Sequence, residues 1–176
     1  MKTEKISVAE ISRLREAAEI ERNTHHEVMN RISKISSVQV GFNWLPDGLP
    51  AKEQMQIVKR GNQKEIMALL TAYANLRMSS HDEERFERVN IAPEVQMYIF
   101  HQPIGFDAAR IYMLEHNRLC LDVETELIKK KMMSVIAKKR LSPKAEVFLL
   151  THCLHEGKEQ DSDSSLFPVQ EYLEKN

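Results

Sequence analysis

Residues that build turns and cross-links are scarce in this chain of 176 residues. Five glycines and six prolines are too few for a strand-rich fold, which needs a turn after every short strand. Two cysteines, Cys120 and Cys153, cannot form the framework of a disulfide-rich secreted domain. No window approaches the ~18 apolar residues of a membrane span, and the first ten residues lack the apolar run of a signal peptide. We therefore expect a cytoplasmic protein, rich in helix and without a membrane partner.

An excess of charge of either sign is also absent. The chain has 25 lysines and arginines against 26 aspartates and glutamates. This balance excludes a global attraction to nucleic acid or anionic lipid, although it leaves local patches open. The length fits one domain with a core large enough to fold without cross-links.

The motifs that usually carry catalysis or cofactor binding are missing. The glycines are scattered rather than clustered in a phosphate-binding loop, and the chain contains no G-x-S-x-G, C-x-x-C or H-E-x-x-H motif. The best metal ligands are His152, Cys153 and His155 together with His116 and Cys120, but their spacing is unlike that of known zinc sites. The sequence thus predicts no metal, no cofactor and no catalytic activity.

The N-terminal segment, residues 1–37, carries the pattern of an amphipathic helix. Ser7 and Glu10 form an S-x-x-E capping box at its start. Glu21 and His25 interrupt the apolar stripe, so we expect two shorter helices with a break near the middle. A single long helix that packs on a partner chain, as in a homodimer, is the alternative. The stripe consists of Ile11, Leu14, Ala18, Val28, Ile32 and Ile35.

Residues 38–50 alternate apolar and polar side chains, which is typical of an extended strand. The apolar members are Val38, Val40, Phe42 and Trp44. A lone strand leaves its backbone hydrogen bonds unpaired unless it pairs across a dimer, so we expect an extended linker whose apolar side lies on the helices. Pro46, Asp47 and Gly48 are expected to form a turn at its end.

The strongest pattern in the chain is an internal repeat. Residues 113–128 and 135–150, which are 22 residues apart, share four identical residues and stay apolar at four further positions. The identical pairs are Arg118/Arg140, Leu119/Leu141, Glu124/Glu146 and Leu127/Leu149. Because a glutamate recurs at one position of the repeat, we interpret Glu124 and Glu146 as structural residues rather than as an acid–base pair.

The repeat reduces to a template: an apolar residue, then Glu, Gln or Ala five residues on, then an apolar residue eight residues on. The matches are Leu49/Gln54/Ile57, Met78/Glu83/Phe86, Ile104/Ala109/Tyr112, Leu119/Glu124/Leu127 and Leu141/Glu146/Leu149. Their intervals are 29, 26, 15 and 22 residues. An interval of 15 is too short for a pair of helices, so one match is out of phase. Helices are expected over 50–60 (ended by Gly61), 63–76, 80–89, 92–102, 106–116, 120–139 (broken near Lys131) and 143–155.

Each of these helices is apolar on one side only, so a pair cannot bury that side alone, whereas stacked hairpins share a core. The segments L-S-P-K-A-E-V-F-L-L (141–150) and R-L-C-L-D-V-E-T-E-L-I (118–128) resemble the short hairpin repeats of HEAT-like and leucine-rich-variant α-solenoids. They are also similar to L-S-x-x-A-E-x-x-L-I arrays of bacterial proteins. The resemblance implies a fold and the binding of macromolecules. We therefore expect an all-α protein, an α-solenoid of short antiparallel hairpins over residues 51–155 behind the N-terminal helical segment.

The function expected from these features is a protein–protein interaction module or scaffold. Residues 156–176 form a polar linker and then a short apolar stretch, in which Val169, Tyr172 and Leu173 are neighbours on a helix. These three side chains are the candidate partner-binding residues, on a helix that enters a groove of another protein. The alternative is that the stretch folds back on the last repeat of its own chain.

A basic run supports a second hypothesis, nucleic-acid binding. Seven basic side chains occur without an intervening acidic residue: Lys129, Lys130, Lys131, Lys138, Lys139, Arg140 and Lys144. Such a patch could contact phosphates. However, acidic residues on both sides reduce the positive potential of this patch within a Debye length or two. In addition, no aromatic side chain lies between the lysines to stack on bases. Lysines that end helices, where they stabilise the helix dipole, explain the run equally well.

Overall fold

The computed structural model describes residues 7–40, 43–76, 90–102, 104–139 and 141–156. Within these ranges the chain is helical apart from one β-hairpin, so the predicted helical class is confirmed. The elements are α1 (Val8–Ile32), β1 (Ser36–Val40), β2 (Asn43–Asp47), α2 (Ala51–Lys59), α3 (Gln63–Ala74), α4 (Pro93–His101), α5 (Asp107–His116), α6 (Leu121–Lys129), α7 (Met133–Ile136) and α8 (Pro143–Glu156).

α1 is one continuous helix of 25 residues, not the two shorter helices that we expected. Ser7 caps its start, because the Ser7 Oγ accepts the backbone N–H of Glu10 at 3.2 Å. Residues 7–23 are exposed, whereas Ile32 at the end of the helix is buried. The C-terminal half of α1 therefore docks on the other helices, whereas its N-terminal half is exposed to solvent.

The two polar residues in the apolar stripe of α1 have partners elsewhere in the chain. His25 Nδ1 lies 2.8 Å from Oε1 of Glu65, a fully buried carboxylate on α3. Arg60, just after α2, contacts the same carboxylate (Nε–Oε2, 3.2 Å) and also Glu21 (3.0 Å). These contacts hold α1 against the turn between α2 and α3. They explain why the helix continues through the position where a break was expected.

β1 and β2 form an antiparallel hairpin in which Val38 lies opposite Leu45. The expected extended linker is wrong here, because the residues that follow β1 supply the partner that a lone strand lacks. Pro46 lies within β2, opposite Ser37, and not in the expected turn. Proline is tolerated on an edge strand, where its missing N–H costs no ladder hydrogen bond.

The predicted ends of α2 to α6 and of α8 are confirmed to within two residues. Gly61 has a φ of 72° and its backbone N–H bonds to the carbonyl oxygen of Val58 at 3.0 Å, so it ends α2 as expected. Lys131, with a φ of 54°, marks the predicted break after α6. The helix expected over 80–89 lies outside the described residues.

The helices lie in two rows. Each even-numbered helix contacts the next: α2 packs on α4, α4 on α6, and α6 on α8. In the other row, α1 packs on α3 and α3 on α5. Contacts between α2 and α3, α4 and α5, and α6 and α7 join the rows. Both rows contribute to the fully buried core, which includes Val58, Ile66, Leu69, Leu70, Val95, Ile99, Ala109, Met113, Val123 and Ala145.

The starts of the even-numbered helices show which of the template matches belong to the repeat. The template matches that precede these helices begin at Leu49, Leu119 and Leu141. The match that begins at Ile104 is out of phase, because Ile104 is 84% exposed and precedes α5, a helix of the other row. The match in register begins instead at Ile91, which is buried. The match that begins at Met78 lies outside the described residues.

Candidate functional site

A side chain in three of the even-numbered helices binds the backbone at the point where the next even-numbered helix begins. The three bonds join Gln54 Oε1 to the N–H of Ala92 (2.9 Å), Gln96 Oε1 to that of Cys120 (2.9 Å) and Glu124 Oε1 to that of Ser142 (3.0 Å). We call Gln54, Gln96 and Glu124 the ladder residues. Each is the fourth residue of its helix, so the even-numbered helices all begin at the same end of their row.

The ladder residues differ in what else they must satisfy. They are buried, and a buried polar group without a hydrogen bond is costly. The amide of Gln96 both accepts and donates, and its Nε2 donates to the carbonyl oxygen of Ile91 at 2.8 Å. The carboxylate of Glu124 only accepts, and Ser142 offers it a second donor, the hydroxyl, at 2.5 Å from Oε2. A glutamate therefore occurs where the next helix offers two donors. A glutamine occurs where the side chain must accept from one N–H and donate to a carbonyl oxygen.

A groove of about 520 Å³ opens between α5 and α7. α7 has four residues whereas α5 has ten, which correspond to lengths of roughly 6 and 15 Å. α7 therefore does not cover α5 along its length, and the two helices make little direct contact. The apolar floor consists of Ile111, Leu114, Met132 and Val135. Ile111 is 56% exposed, which is a large apolar exposure for a residue inside a concave surface.

The rim of the groove is charged. Lys138 and Lys139 lie on the α7 side, and the α5 side carries Arg110 and His116 together with the acidic Asp107 and Glu115. With histidine neutral, three cations face two carboxylates. The excess of positive charge lies along the α7 side, where no acidic residue lines the groove.

Lys139 is held in place by the backbone. Its Nζ donates to the carbonyl oxygen of Asn117, just before α6. Burial lowers the pKa of Lys139 from 10.5 to about 8, and the carboxylates of Glu124 and Glu115 offset part of that effect. The ammonium is thus still protonated near neutral pH, and it is a fixed cation rather than a freely moving one.

Arg110 lines the same groove, and its guanidinium is held by the chain itself. Its Nη2 donates to the carbonyl oxygen of Gln102, and Asp107 lies 3.7 Å away. The Nε atom is buried, and within the described part of the chain it has no hydrogen-bond acceptor.

A second concavity, of about 700 Å³, lies between the end of α1 and α3. Its lining includes Ile35, Met67, Ala72 and Leu76 and contains no charged side chain. It is more open than the α5–α7 groove. The α5–α7 groove is therefore the better defined candidate site.

The basic residues suggested for nucleic-acid binding fall at the two ends of α6. Lys129 is the last residue of the helix, and Lys130 and Lys131 follow it. Lys139 contacts Asn117, which precedes the first residue of α6 by four positions. A helix of nine residues separates the groups by roughly 13 Å. The run in the sequence is therefore not one continuous patch in the fold.

Several of these basic side chains already have contacts. Lys129 pairs with Glu126 at 3.3 Å, and the Lys130 ammonium lies 4.6 Å from the centre of the Phe100 ring. Lys144 is exposed in the first turn of α8. Arg140 lies outside the described residues, as do the candidate partner-binding residues Val169, Tyr172 and Leu173, so these assignments stay predictions.

No cluster of three His, Cys, Asp or Glu side chains suited to a metal ion occurs among the described residues. Cys120 is half-buried, and burial raises the pKa of its thiol. Its backbone N–H, rather than its sulfur, makes the contact that organises this part of the chain. None of the helices in the described ranges has the length and apolarity needed to cross a bilayer.

Comparison with known proteins gives no family for the chain: no family model, curated protein or solved structure matches it.

Proposed function

We propose that this chain is a protein–protein interaction module of the helical-repeat type, without catalytic activity, and that the α5–α7 groove is its binding surface. The arrangement proposed is an α-solenoid in which α2–α3, α4–α5 and α6–α7 are successive hairpins. Contacts along each row and the regular ladder bonds support it, because a solenoid repeat touches mainly its neighbours.

The observation that carries the proposal is the exposed apolar floor of the groove. Ile111 is 56% exposed, yet it lies among apolar residues between two helices. A third helix would bury this floor, since α7 is too short to do so. An amphipathic helix that lays its apolar face into such a groove is a common mode of recognition.

The chemistry of the rim indicates which helix would fit. Lys138 and Lys139 on the rim favour carboxylates on the partner. We therefore expect an acidic amphipathic helix of another protein, with apolar residues on one face and glutamates or aspartates beside them. Complementary charge mainly adds specificity and speed of association, while the apolar contact supplies most of the affinity.

Two isoleucines of the chain provide a matched test. Ile111→Glu places a charge in the groove, whereas Ile104→Glu makes the same change at an exposed residue that does not line it. Wild type and both variants would be used as baits, with the bound proteins identified by quantitative mass spectrometry. A partner that is retained by Ile104→Glu and lost by Ile111→Glu supports the proposal. Equal recovery by all three baits, including no recovery, contradicts it.

Nucleic-acid binding remains the alternative prediction, but the fold favours it less. The basic residues are divided between the two ends of α6, and several are engaged by Glu126, Phe100 and the carbonyl of Asn117. A phosphate backbone would therefore reach one group or the other. Because the affinity for nucleic acid rises with the number of phosphates that are neutralised, either group alone would bind weakly.

A further inference from the structure

The α5–α7 groove has the dimensions of a site for a small, elongated ligand. Its volume of about 520 Å³ lies within the ~300–1,000 Å³ that is usual for small-molecule pockets. On the α5 side, its lining runs from Asp107, the first residue of the helix, to His116, the last. The groove therefore extends along α5 for roughly 15 Å.

The middle of the groove is apolar. Ile111 is 56% exposed, and Leu114, one turn away on α5, is buried beside it. Met132 and Val135 line the α7 side and are half-buried. Water in contact with these side chains is released when an apolar ligand covers them. A ligand that fits the groove therefore needs an apolar body.

The charges on the α5 side of the groove compensate one another. Arg110 Nη2 lies 3.7 Å from Asp107 Oδ1, and the same guanidinium donates to the carbonyl oxygen of Gln102. Glu115 Oε2 lies 3.8 Å from His116 Nε2. This side of the groove therefore has no excess of positive charge.

Lys139, on the α7 side, is compensated less well. Its Nζ donates to the carbonyl oxygen of Asn117, which is a neutral acceptor. Glu124 acts on it most strongly among the carboxylates, but both oxygens of Glu124 already accept hydrogen bonds from Ser142. Burial therefore outweighs the neighbouring carboxylates and lowers the pKa of Lys139 to about 8. Lys138, which is exposed, adds a second cation on the same side.

We propose that the α5–α7 groove binds a linear fatty acid, whose carboxylate pairs with Lys139 and whose hydrocarbon chain lies over Ile111 and Val135. Charge complementarity selects the carboxylate, and the apolar floor selects the chain. The proposal concerns the groove of the proposed function but does not rest on the partner helix. A fatty acid and an acidic amphipathic helix share an apolar body and a carboxylate, so they compete for the groove, and the fatty acid regulates the access of the helix.

The positions of the two ends of the groove set the length of the ligand. Lys139 lies at the His116 end, because its Nζ contacts Asn117, the residue just after α5. The hydrocarbon chain therefore runs from there towards Asp107. An extended chain advances roughly 1.2 Å per bond, a third of the ~3.6 Å that one residue spans. A length of roughly 15 Å thus corresponds to a fatty acid of about twelve carbons.

Calorimetric titration of the purified full chain with fatty-acid salts tests the proposal. Hexanoate, octanoate, decanoate and dodecanoate form the series, and octanol is the control without a carboxylate. We expect one ligand per chain and an affinity that rises by up to roughly fourfold for each added methylene. Octanol should bind at least roughly tenfold more weakly than octanoate, because it cannot form the charge-assisted bond to Lys139.

Two pairs of variants locate the ligand. Lys139→Met should weaken the binding of decanoate by roughly tenfold or more, whereas Lys138→Met, at the exposed neighbour, should weaken it by less than about fivefold. Ile111→Glu places a charge on the apolar floor and should abolish binding. Ile104→Glu makes the same change outside the groove and should leave the affinity unchanged. Circular dichroism checks that each variant is folded.

The pH dependence of binding is a measurement that needs no variant. The carboxylate pairs with the protonated form of Lys139, whose pKa in the free protein is about 8. Raising the pH from about 7 to about 9 should therefore lower the affinity for decanoate by up to about tenfold. Lys139→Met should remove this dependence. Its profile also subtracts the contributions of His116 and Lys138, which line the groove in both proteins.

Three results would overturn the proposal. The first is that no acid of the series binds. The second is an affinity that does not change with chain length, because the ligand is then an anion on a surface lysine. The third is an equal loss within either pair of variants, because the ligand then lies elsewhere. The comparison of baits remains a separate test, since a partner protein can depend on Ile111 whether or not the purified chain binds decanoate.

Discussion

The side-chain oxygen of Gln96 lies 2.9 Å from the backbone nitrogen of Cys120. These residues belong to different even-numbered helices, and the bond joins the fourth residue of α4 to the residue just before α6. Backbone N–H groups at the start of a helix have no partner inside it. Gln96 supplies an acceptor for one such N–H group from the neighbouring helix, and this bond therefore fixes the register of α4 against α6.

Gln96 is accordingly expected to be among the most sensitive polar positions of the chain. Gln96→Ala leaves the buried N–H of Cys120 and the carbonyl of Ile91 without this amide, and it also leaves a cavity. We expect the free energy of unfolding to fall by about 2–4 kcal/mol, as measured by urea titration. Gln56→Ala, at an exposed glutamine of α2, is the control and should change it by less than about 0.5 kcal/mol. Similar losses in both variants would show that the ladder bond contributes little.

Two carboxylates, one buried and one partly exposed, bind side chains of α1. We expect their removal to lower the free energy of unfolding by different amounts. Glu65 is fully buried between His25 and Arg60, whereas the pair of Glu53 with Arg31 is partly exposed. We expect Glu65→Ala to lower the free energy of unfolding by about 2–4 kcal/mol, because it removes the buried acceptor that His25 and Arg60 share and leaves a cavity. Glu53→Ala should cost less than about 1 kcal/mol.

Hydrogen exchange can locate the effect of Glu65→Ala. The amides of α1 between residues 24 and 32 should lose protection before those of α4 and α6. Uniform loss over all helices would mean that Glu65 supports the whole core rather than the docking of α1.

Lys139 predicts a specific dependence of stability on pH. Burial lowers its folded-state pKa to about 8 from 10.5, so between these values the unfolded chain binds more protons than the folded one. By linkage, the contribution of Lys139 to the free energy of unfolding rises as the pH rises through this window. Lys139→Met removes the contribution. Wild type should therefore gain stability relative to Lys139→Met between about pH 8 and pH 10, measured by urea titration.

Lys138→Met is the matched control for this experiment. Lys138 is the exposed neighbour of Lys139 on the same rim, and its variant keeps the buried ammonium. It should follow the pH profile of the wild type. A difference between wild type and Lys139→Met that stays constant with pH would contradict the lowered pKa.

The division of the basic residues predicts the outcome of a nucleic-acid test. Wild type and the double variant Lys138→Glu/Lys139→Glu should bind single-stranded RNA equally weakly in a gel-shift assay, without the steep salt dependence of a protein that contacts many phosphates. Tight, salt-dependent binding by the wild type that the double variant loses would restore the nucleic-acid hypothesis.

Local signals in the sequence predicted the helices well. Capping by Ser7, the glycine at position 61 and the break at Lys131 each depend on a few neighbouring residues, and the structure confirms all three. The template also identified two ladder positions, Gln54 and Glu124, without indicating their contacts. Gln54 accepts from a residue 38 positions further along the chain, and Glu124 accepts from a residue 18 positions further along.

The errors of the sequence analysis have tertiary causes. Glu21 and His25 interrupt an apolar stripe in the sequence, whereas their partners, Arg60 and Glu65, lie about forty residues away. Ile104 fits the apolar period although it precedes a helix of the other row. The hairpin is hidden because Pro46 is a common turn residue. The α5–α7 groove has no motif at all, since it arises from the shortness of α7 relative to α5.

The ladder bonds all run in one direction, from a side chain to the backbone of the even-numbered helix that follows. A duplicated hairpin inserted in register would bring one ladder residue and one N–H at the start of its even-numbered helix. Ladder bonds could therefore form with the hairpin before it and with the hairpin after it. A single residue inserted between the start of an even-numbered helix and its ladder residue would instead misalign a buried amide or carboxylate. Whole hairpins are therefore the units by which a protein built in this way can lengthen or shorten during evolution.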